Sequence, residues 1–139
     1  MGLFMVGLGG ILGALARYGI SIILNDRGLV PWGTLAVNMS GCFMLALFLT
    51  LILYKYSSQS YLVLAVSTGF IGSLTTFSTL SIEGVTLFRS SALLAFIYMV
   101  LTLAGGYLFV GAGYTAGQYI AATAGFKKWA GLTAEGADK

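Results

Sequence analysis

Apolar residues dominate four long stretches of the chain, at about 3–24, 32–54, 61–88 and 91–121, and polar residues gather in the gaps between them. Each stretch reaches the roughly 20 residues that an α-helix needs to cross a hydrocarbon core. The pattern predicts an all-α membrane protein of four transmembrane helices. Asn25-Asp26-Arg27-Gly28 reads as a polar turn, and Pro31 suits the first turn of a new helix, which starts the second span near Trp32. The links at Lys55 to Ser60 and at Arg89-Ser90-Ser91 are short, so successive helices run antiparallel. The first stretch lacks the basic region and small-residue cleavage site of a removable signal peptide, and it reads as a retained helix. From Phe126, residues 126–139 form a polar tail to which no function is assigned.

Composition sharpens this reading. Of 139 residues 58% are hydrophobic and 8% charged, which leaves too little polar surface for a soluble domain of this size. Four spans use nearly the whole chain, so a soluble catalytic or nucleic-acid-binding domain has no place, and the chain does not read as an enzyme. Histidine is absent, which removes the usual general base and metal ligand. The lone Cys42 can build neither a disulfide framework nor a zinc site. The net charge of +3 is spread over loops and termini, where basic side chains anchor to headgroups. Lys55, Lys127, Lys128 and Lys139 fall on one side; Arg27 and Arg89 fall on the other, with Arg17 just inside the membrane. That bias is too slight to choose an orientation, and it permits insertion both ways round and hence an antiparallel dimer.

Candidate chemistry lies inside the spans. Gly7, Gly9, Gly10 and Gly13 in the first helix, and Gly105, Gly106, Gly111, Gly113 and Gly117 in the fourth, read first as close-contact faces. The run Thr68 to Ser81 joins Gly69 and Gly72 to Ser73, Thr75, Thr76, Ser78, Thr79 and Ser81, and such a mixture predicts a break in the third helix. Broken backbone at bilayer depth survives only where it is buried in protein or lines a cavity. Arg17 is an intramembrane cation that either snorkels or serves a site. Glu83 reads as a vestibule residue, a partner for a basic group or a solvated carboxylate. Asn38 faces a neighbouring helix or a pore. Hydroxyl and amide donors without a ring of carboxylates suit a small dehydrated anion better than a cation, and the ring edge of Phe77 adds an electropositive contact.

Three motifs in order carry a resemblance. Gly9-Gly10-Ile11-Leu12-Gly13-Ala14-Leu15-Ala16-Arg17-Tyr18, Pro31-Trp32-Gly33-Thr34-Leu35-Ala36-Val37-Asn38, and Thr68 through Glu83 are similar to the Fluc (CrcB) family of fluoride channels. The resemblance implies a passive, fluoride-selective channel in the cell membrane that exports fluoride from the cytoplasm. It further implies an antiparallel dual-topology homodimer with two pores and a central sodium ion. By resemblance Asn38, Phe77, Ser78, Thr79, Tyr98 and Thr102 line the pore, Arg17 and Glu83 lie at its vestibules, and the backbone carbonyls of Gly72 and Thr75 hold the sodium. Two positions depart from the family pattern: Leu80 stands where a second phenylalanine is usual, and Gly106 where many members have serine. Leu80 implies either altered rates or a heterodimer with a homologous chain that supplies the ring. The competing reading is a small multidrug-type, proton-coupled exporter. It needs a membrane-embedded carboxylate, which the first span lacks.

Overall fold

In the computed structural model the described residues are 2–25, 28–55 and 61–123. Helix α1 covers Gly2–Asn25 and α2 covers Trp32–Lys55. The third span is assembled from pieces: α3 at Tyr61–Leu64, a π-helical stretch at Ala65–Ile71, α4 at Gly72–Leu74 and α5 at Phe77–Ser90. Helix α6 then runs from Ala92 to Thr123. Four helical segments among the described residues are long and apolar enough to cross a membrane, and the chain is a multi-pass membrane protein. The expected spans are present, with ends displaced by one or two residues, the ordinary scatter of helix boundaries. The tail from Phe126 and most of the second link lie outside the described residues.

Glycine placement explains how the spans come together. A Cβ at Gly13 would run into the Phe70 carbonyl oxygen and one at Gly9 into the Ala65 carbonyl oxygen. From the opposite wall, a Cβ at Gly69 would come within 2.6 Å of the Val6 carbonyl oxygen. The contact between α1 and the π-helical stretch is therefore backbone against backbone, which only glycine permits. Gly113 plays the same part between α6 and the Phe43 carbonyl of α2. A Cβ at Gly7 or Gly111 would meet nothing within 4 Å among the described residues of the single chain. Leu35, Leu80, Leu87, Ala95 and Tyr98 form a small core where α2, α5 and α6 meet. Leu3, Ile11 and Leu15 of α1 and Leu93 and Leu103 of α6 point outward, as hydrocarbon allows.

The third helix is broken within the run Thr68 to Ser81, at Thr75 and Thr76. Gly72 keeps helical angles (φ −63, ψ −32), whereas Thr75 (φ −75, ψ 153) and Thr76 (φ −149, ψ 126) are extended. The reason is local bonding rather than glycine propensity. The Thr76 N–H donates to Asn38 Oδ1 at 2.8 Å, and Asn38 Nδ2 donates to the Thr76 carbonyl at 3.0 Å. Thr76 Oγ1 then caps α5 by accepting the Thr79 N–H at 3.2 Å.

Candidate functional site

The break opens a depression of about 540 Å³ whose lining includes Asn38, Gly72, Thr75, Phe77, Thr102 and Tyr107. Helix α2 supplies Asn38, the broken span supplies Gly72 to Phe77, and α6 supplies Thr102 and Tyr107. The lining contains no carboxylate and no basic side chain. Its polar character comes from amide, hydroxyl and backbone groups alone. Asn38 has four hydrogen-bonding positions, and one Nδ2 hydrogen remains after its two bonds to Thr76.

The break also releases carbonyls. In an unbroken α-helix the Thr76 N–H would reach the Gly72 carbonyl and the Thr79 N–H the Thr75 carbonyl. Here those N–H groups go to Asn38 Oδ1 and Thr76 Oγ1. Among the carbonyls that lose their helical donors at the break are those of Gly72 and Thr75, the two residues that the resemblance assigns to a cation. Among the described residues no group of three or more His, Cys, Asp or Glu side chains could hold a metal, so an ion at the break would rest on neutral oxygens.

The expected site residues divide into two groups. Asn38, Phe77, Thr102, Gly72 and Thr75 share the depression. Phe77 is 75% exposed on the single chain, while Leu80, one turn on, is 4% exposed and belongs to the core. Ser78 and Thr79 turn to Thr76 instead, with their hydroxyl oxygens 3.2 and 3.0 Å from Thr76 Oγ1. Thr102 Oγ1 donates to the Tyr98 carbonyl at 2.8 Å, which turns its hydrogen toward its own helix.

Tyr98 belongs to a second cluster, built on Glu83. Tyr98 Oη donates to Glu83 Oε2 at 2.7 Å, and Thr34 Oγ1 donates to Glu83 Oε1 at 2.7 Å. Asn25 Nδ2 donates to the same Oε1 at 3.3 Å, and Asn25 Oδ1 accepts the Gly33 N–H at 2.7 Å. Glu83 is thus not simply solvated: among the described residues, three neutral donors from three other helices hold it. Arg17 is partly buried on α1 and belongs neither to this cluster nor to the lining of the depression. Asn25, Thr34 and Thr76 carry structure at these sites that sequence reasoning missed. Thr76 had a readable signal, an N-cap threonine at the start of a helix. Asn25 had none, since its partner lies 58 residues away.

Comparison with known proteins bears on the same segments. Residues 4–114 match the family described as CrcB-like protein, Camphor Resistance (CrcB). The "Fluoride-specific ion channel FluC 1" of Bacillus anthracis is 40% identical over 119 residues, covering 84% of this chain and 87% of the relative. The "Fluoride-specific ion channel FluC 2" of Geobacillus kaustophilus (strain HTA426) is 41% identical over 116 residues, covering 81% and 90%. That of Carboxydothermus hydrogenoformans, also FluC 2, is 42% identical over 109 residues, covering 78% and 81%. With a match that takes in all three motifs and the broken span, this chain belongs to the CrcB family.

Proposed function

We propose that this chain is a channel subunit, not an enzyme, and that it conducts fluoride passively and selectively across the cell membrane. The observation that carries the reading is the depression at the broken helix, lined by Asn38, Phe77 and Thr102 without a carboxylate. A dehydrated anion there meets an amide hydrogen and an electropositive ring edge, and no fixed negative charge repels it. The names of the relatives support fluoride as that anion. Glu83, the one carboxylate among the described residues, is occupied by neutral donors, which does not favour a proton-coupled exporter.

The working unit in this reading is an antiparallel homodimer with two pores. Phe77 stands 75% exposed on the isolated chain, and a second subunit would enclose it. A sodium ion held by the Gly72 and Thr75 carbonyls of both subunits would occupy the dimer centre. Both oxygens have lost their helical donors, and lipid cannot replace them. When bound, the ion supplies a fixed positive charge that cross-links the two breaks.

Efflux from liposomes loaded with fluoride or chloride tests the function. Fluoride should leave without a proton gradient or ATP while chloride is retained; chloride moving as fast as fluoride would overturn the selectivity. Exchanging sodium for a bulkier cation should abolish flux or dissociate the dimer, with recovery when sodium is restored. Undiminished flux after rigorous sodium removal would sink the cation site.

A further inference from the structure

Tyr107 stands at the midpoint of the membrane-crossing part of α6, 15 residues from both Ala92 and Ala122. At 1.5 Å per residue, roughly 22 Å of helix lies on either side, which places the residue near the bilayer centre. Its side chain is 80% exposed, and among the described residues nothing bonds its hydroxyl. Other tyrosines in the same helix are satisfied: Tyr98 donates to Glu83, and Tyr114 accepts from Gln118. A phenol hydroxyl facing hydrocarbon without a partner is unfavourable, so this one is expected to face something polar. Tyr107 lines the same depression as Asn38 and Phe77.

That depression is short of donors for an anion. Asn38 has one amide hydrogen left, Thr102 turns its hydrogen to the Tyr98 carbonyl, and Gly106 contributes no side chain. Leu80 adds no ring, which leaves Phe77 and Tyr107 as the aromatic residues of the lining. We propose that the Tyr107 hydroxyl donates a hydrogen bond to the anion as it passes the depression, making Tyr107 a permeation and selectivity residue of this chain. The inference rests on the fluoride-channel reading and adds a contact to it. Fluoride, the smallest halide and the strongest hydrogen-bond acceptor among them, gains more from such a donor than chloride does.

Tyr107→Phe removes the hydroxyl and keeps the ring, and p-methoxyphenylalanine at the same position masks the donor with the oxygen retained. Both should elute as wild-type dimers yet lower fluoride efflux from liposomes about tenfold, the loss of one neutral hydrogen bond to the conducting ion. The ratio of fluoride to chloride efflux should fall with it. Fluoride efflux within about twofold of wild type in both variants would overturn the proposal while leaving the channel reading intact. So would unchanged efflux with a weakened dimer, since the hydroxyl would then serve a second subunit. Absence of fluoride efflux from the unmodified protein would overturn the channel reading and this contact together.

Discussion

The Asn38 carboxamide grips Thr76 from both sides, accepting its N–H at 2.8 Å and donating to its carbonyl at 3.0 Å. Its Oδ1 thereby takes the place of the helical acceptor that the Thr76 N–H forgoes at the break. Asn38→Ala should lower fluoride flux and also destabilise the fold by about 2 kcal/mol, the cost of leaving the buried Thr76 N–H unpaired. Thermal unfolding in detergent would check this; an unchanged midpoint would mean that water replaces the amide.

Phe77 offers a cleaner separation of conduction from folding. Its side chain packs little within one subunit, so Phe77→Ile should leave subunit stability within about 0.5 kcal/mol of wild type. Fluoride efflux should nevertheless drop sharply, because an aliphatic side chain has no electropositive edge. Equal efflux would place the anion elsewhere.

Leu80→Phe restores the ring that the family pattern has at this position. Leu80 is 4% exposed among Leu35, Leu87, Ala95 and Tyr98, so the larger side chain overpacks the core and should cost about 1–3 kcal/mol. Faster efflux despite a lower midpoint would mark Leu80 as a rate-limiting departure. A homodimer that is silent without the change would point to a heterologous partner chain.

Glu83→Ala strands the Thr34 and Tyr98 hydroxyls, each about 1% exposed. Two orphaned buried donors imply a loss of about 2–6 kcal/mol, larger than for Tyr98→Phe alone. Comparing the two unfolding midpoints tests the order; equal losses would show that Tyr98 is the only partner that matters.

The shared position of Asn38 and Phe77 was implied only by the family resemblance, whereas the four spans and the break were legible in the sequence because hydropathy and helix propensity are local signals. The position of the break was not, because Asn38 determines it from 38 residues away. Glycine in the third span marked close packing: Gly69 receives α1, while Thr75 and Thr76 carry the extended backbone. Glu83 read as a residue near the water because it lies toward a span end, and its neutral partners come from segments far apart in the chain. Tyr107 gave no signal by itself. Only the satisfaction of Tyr98 and Tyr114 elsewhere on α6 makes it stand out.

Through Asn25, Thr34 and Tyr98, Glu83 fastens the end of α1, the start of α2 and the start of α6 to α5. All four spans are therefore pinned at one membrane edge. Toward the other edge the described contacts include close van der Waals ones, such as Gly2 beside the Tyr61 ring and Gly117 beside the Thr50 side chain. Van der Waals contacts slide where a directional knot does not. The Glu83 edge is thus fixed in angle as well as in distance, because helix ends from all four spans meet at one carboxylate. Two such subunits placed head to tail would put one Glu83 knot at each face of the membrane, so that each face of the assembly would be braced by one subunit.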